Sequence, residues 1–149
     1  MTGNNRGLDS ARVALKVGLG LAAFLAGLDK FFNLLADWPG YLSPLAREVL
    51  PVGAATLMHV VGVVEMAVGL AILSRWTRVG SYVAMVWLVA IAVNLVSTGH
   101  FLDVAVRDVE MAIAAYALGR LTEAHEAAGA LAPPATSAPG RGTRIGSAA

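Results

Sequence analysis

Ionisable and amide side chains recur inside stretches of this chain that are otherwise apolar. Asp29 and Lys30 stand near the end of the first such stretch, with Asn33 one turn beyond Asp29. His59 and Glu65 lie in the second stretch, Asn94 in the third, and Asp103, Arg107, Asp108 and Glu110 in the fourth. Such groups are costly in hydrocarbon, so they face a bundle interior or a wet cavity and mark candidate functional sites. A carboxyl or imidazole there can pass protons, and an ammonium or guanidinium can hold a carbonyl or an anion. Glu65 is the candidate proton-handling catalytic group. Asp29, Lys30, His59, Asn94, Arg107 and Asp108 are the candidate ligand-binding groups.

Helical rise sets their depth. Lys30 and His59 come out roughly 9 Å below the outer ends of their segments, Asn94 and Arg107 roughly 6 Å, and Glu65 roughly 18 Å. On the fourth segment Asp103, Arg107 and Glu110 are spaced i, i+4, i+7 and form a stripe able to satisfy itself, while Asp108 points about 100° away from Arg107. Gly62 and Gly69 flank Glu65 at i−3 and i+4, leaving a groove that a neighbouring helix or a ligand can fill. Carboxylates outnumber cations in the cluster, so at least one, Glu65 as the deepest, is expected to be protonated. The purely structural alternative is a set of interhelical clamps, Lys30 with Asp108 or Arg107 with Asp29, that fix register alone. No His/carboxylate spacing suits a metal on a helix, and a haem would need His100 or His125, both outside the apolar segments, as second axial ligand.

The elements that must position these groups follow from composition. Of 149 residues, 57% are hydrophobic and 14% charged, against roughly 25% charged in a soluble domain. Four stretches reach the roughly 20 apolar residues that a bilayer core requires: about 11–36, 53–74, 79–98 and 103–121. The expected fold is all-α, an integral membrane four-helix antiparallel bundle, with residues 1–10 as an N-terminal cytoplasmic segment. Only Arg75-Trp76-Thr77-Arg78 joins the second and third spans, so those two are neighbours. The link from Asp37 to Val52 carries Pro39-Gly40, Ser43-Pro44 and Pro51, and reads as a surface loop anchored by Trp38 and Tyr41. Trp87 and Tyr82 read as packing residues, and Phe31 and Phe32 as an interfacial belt. Residues 122–149, rich in Ala, Gly and Pro, read as a disordered cytoplasmic tail.

Arg6, Arg12, Lys16, Arg75, Arg78, Arg120, Arg141 and Arg144 all fall on one side of this arrangement, which predicts both termini in the cytoplasm of a multi-pass inner (plasma) membrane protein. Reading the first span as a cleaved signal peptide is disfavoured because its apolar pattern runs on through Leu35. Small pairs at Ala23/Gly27 and Ala115/Gly119 allow close helix approach in lipid. With 11 Lys+Arg against 10 Asp+Glu there is no basic excess for nucleic acid, and without cysteine there are no disulfides, thiolate metal sites or covalently held haem c.

Gly27 to Lys30 (Gly-x-Asp-Lys), Gly62 to Gly69 (Gly-x-x-Glu-x-x-x-Gly) and Val106-Arg107-Asp108-Val109, in that order, resemble the DoxX family of small four-helix membrane proteins over about residues 11–121. The resemblance implies a bacterial, redox-associated membrane subunit. Members of the wider group include the small subunit of thiosulfate:quinone oxidoreductase and a protein needed to mature methylamine dehydrogenase. By residue, Lys30, Glu65, Arg107 and Asp108 match the family's polar positions. The leading expectation is therefore a subunit of a quinone-linked redox system with no covalently bound cofactor. Quinone would occupy the polar cluster, a partner redox protein would supply electrons, and the chain itself is a candidate homo-oligomer. The competing expectations are a membrane scaffold or maturation factor for a soluble oxidoreductase, and a small proton-coupled carrier using Glu65 and Asp29.

Overall fold

Apolar runs in lipid find no water for their backbone N–H and C=O groups, so they close those bonds internally as helices. The computed structural model describes residues 2–49 and 53–131, and its regular elements are all helical. They are α1 (Thr2–Asp29), a 3-10 turn at Trp38–Tyr41, α2 (Pro44–Val49), α3 (Ala54–Leu73), α4 (Thr77–Ser97) and α5 (Leu102–Ala130). Three helices are long and apolar enough to cross a membrane: α1 over Arg6–Asp29, α3 and α4. The fourth expected span, α5, has the length, but Asp103, Arg107, Asp108 and Glu110 crowd its first turns, and it is more polar than α3 and α4.

Three helix boundaries differ from the sequence expectation, the first being that α1 already begins at Thr2, within the expected N-terminal segment 1–10. The first helix ends at Asp29, short of Ala36, although the residues that follow are still apolar. The Asp29 carboxylate accepts hydrogen bonds from the N–H groups of Leu34 (3.1 Å) and Leu35 (3.0 Å), which turns the chain through Asn33 at a left-handed φ of 52°. A side chain that binds the backbone beyond it offers an alternative to further helix. At the other end α5 continues past Leu121 to Ala130, so the first part of the expected disordered tail is helical. Thr122 through Ala130 is rich in good helix formers, and Glu123 and His125 tie this extension to Arg78 on α4 and Asp9 on α1. The remainder of the expected tail, 132–149, lies outside the described residues, as do residues 50–52 of the long link.

The helices associate through small side chains. α1 packs on α3 and α4 on α5, with lesser contacts between α3 and α4 and between α1 and α5. Gly27 meets Gly62, and Gly20 meets Gly69, so contacts along the α1/α3 seam pair in reverse sequence order. α1 fills the groove that Gly62 and Gly69 leave beside Glu65. On the α4/α5 seam Gly119 lies against the Tyr82 ring, while Ala115 and Leu118 are fully buried. Large apolar side chains such as Val63, Leu70, Val86 and Val93 point outward and are more than half exposed. An interior of small residues with an apolar exterior is the pattern that lipid, rather than water, requires.

A Cβ at Gly62 would stand 2.5 Å from the Gly27 carbonyl oxygen, which is backbone and cannot swing aside. Gly62→Ala is therefore expected to cost about 1–3 kcal/mol by forcing α1 and α3 apart. Unfolding in mixed micelles on titration with sodium dodecyl sulfate measures this, and an unchanged midpoint would mean that the seam is loose.

Candidate functional site

Lys30 is the first residue past the end of α1, at the level of Gly62 on α3. Its side chain runs inward along α3, and its Nζ donates to Glu65 Oε2 at 2.5 Å. Both are buried, Lys30 at 5% and Glu65 at 8% exposure. Lys30 thus stands as the direct partner of the Glu65 carboxyl. This pairing corrects the expected clamp, since Lys30 pairs with Glu65 and not with Asp108. Depth estimates separated these two by about two turns, and the length of the lysine side chain closes that gap.

Trp38 roofs the pair. Its ring lies 3.8 Å from the Lys30 Nζ, a cation–π contact, and its indole N–H donates to Asp29 Oδ2 at 2.7 Å. Expected as an interfacial anchor, Trp38 instead turns inward and is half-buried. Asp29 thereby holds three donors, the N–H groups of Leu34 and Leu35 and the Trp38 indole, and has no ion pair with Arg107 among the described residues. From α4, Trp87 turns its buried indole N–H toward the Glu65 carboxylate without closing a hydrogen bond. From α5, half-buried Asp108 lies within electrostatic reach of Glu65, Arg107 and Lys30. The centre thus takes in Asp29, Lys30, Glu65 and Asp108, with the two tryptophans around it.

The remaining sequence candidates fall outside this centre. Asn94 binds the link between α1 and α3: its Nδ2 donates to the Tyr41 carbonyl at 2.8 Å, and its Oδ1 accepts from the Ser43 N–H at 3.2 Å. It fixes the loop that carries Trp38. His59 is exposed on the outer face of α3 and stacks on Phe31, with ring centroids 4.8 Å apart and planes within 3°. Phe31 also borders Gly62 beside Lys30, so the stacked rings form the lipid-facing flank of the buried pair. Arg107 is exposed, and its stripe with Asp103 and Glu110 closes no ion pair among the described residues.

Sequence reasoning missed both tryptophans as site residues. Trp87 was within reach of it: the short turn between α3 and α4 pairs them as a hairpin with Gly80 against Ile72, and counting back from that contact sets Trp87 opposite Glu65. Trp38 offered no such signal, because its position depends on the turn that Asp29 organises. Chemically, the centre presents one ammonium, two further carboxylates beside the paired one, and two indoles in an apolar surround. Such a set can hold a carbonyl oxygen and exchange protons with it. Comparison with protein-family models, with curated proteins and with solved structures returns no match for this chain.

Proposed function

We propose that this chain is a DoxX-like subunit of a quinone-linked redox system in the inner (plasma) membrane, and that its buried polar centre receives the quinone head group. In this reading α1, α3, α4 and α5 form an antiparallel four-helix bundle across the bilayer. Both termini are cytoplasmic, in keeping with the Lys and Arg residues gathered at that end. The observation that carries the proposal is the buried Lys30–Glu65 pair flanked on its lipid side by the Phe31–His59 stack. A planar ring arriving from lipid would slide past Phe31, Lys30 would turn from Glu65 to donate to one carbonyl oxygen, and Glu65 would pass protons. Electrons would come from a partner protein.

A scaffold role has one observation in its favour, since Lys30 and Glu65 already satisfy each other. Quinone content separates the two. Wild type, Glu65→Gln and the apolar double replacement Lys30→Met/Glu65→Leu are purified in mild detergent with native lipid, and quinone per protein is quantified after solvent extraction. The redox reading expects about one quinone per wild-type chain and a loss of at least tenfold in both variants, with folding retained by the double replacement. Bulk-lipid levels in all three would assign the centre to structure alone.

A further inference from the structure

Three cations gather where α1 passes the turn between α3 and α4, and none of them serves the centre described above. Lys16 is half-buried, and its Nζ donates to the Ser74 carbonyl at 2.8 Å, at the end of α3. Two of its three ammonium protons remain for other acceptors. Arg75 follows directly in the turn and is exposed. Arg12 stands one turn before Lys16 on α1, about 6 Å further from the buried centre. Its side chain is 18% exposed, and its Nε is buried without a hydrogen-bond acceptor, the Asp9 carboxylate lying 4.0 Å away.

The acids of this end are engaged elsewhere. Asp9 Oδ1 lies 2.9 Å from His125 Nδ1, Glu123 meets Arg78 at 3.1 Å and Arg120 at 3.0 Å, and Glu126 meets Arg78 at 3.6 Å. Neither Lys16 nor Arg75 has an ion pair among the described residues. Residues 1, 50–52 and 132–149 hold no Asp or Glu that could supply one. Next to Arg75 stands Trp76, 58% exposed, an amphipathic ring suited to the membrane–water boundary. On α1, one residue beyond Lys16, Val17 is exposed as well.

We infer that this corner binds the headgroup of an anionic phospholipid from the leaflet it faces. The inference rests on α1, α3 and α4 crossing the bilayer and is independent of the quinone reading. Depth is the first argument. Ser74 directly follows a helix of 20 residues, the length that crosses the hydrocarbon, so the Lys16 ammonium lies at the level of the lipid phosphates. Charge complementarity is the second. A phosphodiester accepts charge-assisted hydrogen bonds from the Lys16 ammonium and from the guanidinium groups of Arg75 and Arg12, while Trp76 and Val17 border the glycerol and upper acyl chains. Free phosphate meets the same cations without covering Trp76 and Val17.

Protein stripped of lipid in a neutral detergent is mixed with phosphatidylglycerol and phosphatidylcholine of matched chains, and bound lipid is counted by native mass spectrometry. The expected result is one phosphatidylglycerol retained about fivefold or more over phosphatidylcholine. Lys16→Gln/Arg75→Gln should bring that ratio to about one, whereas Lys16→Arg/Arg75→Lys, which keeps both charges, should preserve it. Arg75→Gln alone, at an exposed position outside the packing, should lower it at least twofold. Arg6→Gln/Arg120→Gln removes the same charge from the same end outside the corner and should leave the ratio unchanged. Equal retention of the two lipids by the wild type, a ratio indifferent to Lys16→Gln/Arg75→Gln, an equal loss in Arg6→Gln/Arg120→Gln, or displacement of phosphatidylglycerol by millimolar inorganic phosphate would each overturn the inference.

Discussion

Replacing Lys30 with Met is expected to lower the stability of the protein by about 3–5 kcal/mol, because it leaves the buried Glu65 carboxylate with no countercharge. Glu65→Leu should be comparably destabilising, now stranding the ammonium with only the Trp38 face beside it. The double replacement Lys30→Met/Glu65→Leu should recover most of the loss. Removing both desolvated charges together avoids the penalty that either leaves alone, and apolar replacements of similar volume are often neutral or better. Reversible unfolding of the four proteins in the same micelles, arranged as a double-mutant cycle, gives a coupling energy that should be large and favourable. Additive effects would show that Lys30 and Glu65 do not act as a pair. Because the double replacement keeps the fold while deleting the polar chemistry, it is also the variant in which function, as distinct from stability, can be read.

That pair marks the boundary of what the residues alone revealed. The helical segments were legible because roughly 20 consecutive apolar residues have few alternatives to a helix in lipid. Their rotation was not, since spacing places Glu65, Asp108 and Arg107 on their own helices without saying which of them faces Lys30. The Gly62/Gly69 motif carried the missing information once its partner was known to be Gly27/Gly20, for that seam turns Glu65 toward α1. Hydropathy also overran the end of α1, because Phe31, Phe32, Leu34 and Leu35 read as a continuing span. A single carboxylate capturing the following backbone overrides that apolar signal.

Asp29→Ala tests that override and carries the second large effect. Three hydrogen bonds to one carboxylate are lost, those from Leu34, Leu35 and the Trp38 indole. Bonds to a charged acceptor each contribute about 1.5–3 kcal/mol, but Leu34 and Leu35 are exposed and can rebind solvent. The expected net destabilisation is about 2–4 kcal/mol. The more specific readout is optical. With Trp76→Phe and Trp87→Phe leaving Trp38 as the sole indole, Asp29→Ala should shift its emission to the red and raise its quenching by acrylamide as the roof lifts from Lys30. Unchanged emission and quenching would mean that Trp38 is held by Asn94 and the rest of the loop, with Asp29 incidental.

Lys30 and Glu65 are 35 positions apart in the chain, whereas Asp29 and Trp38 are 9 apart. At ordinary elongation speeds the ribosome delivers Glu65 about 2–7 s after Lys30. Throughout that interval Lys30 is an ammonium whose carboxylate has yet to be made. The cover on that charge is local: Trp38 and the Asp29 turn belong to the segment that leaves the ribosome first, so they can shelter Lys30 before α3 exists. Sequence separation thus makes the roof the local contact of the centre and the ion pair its long-range one.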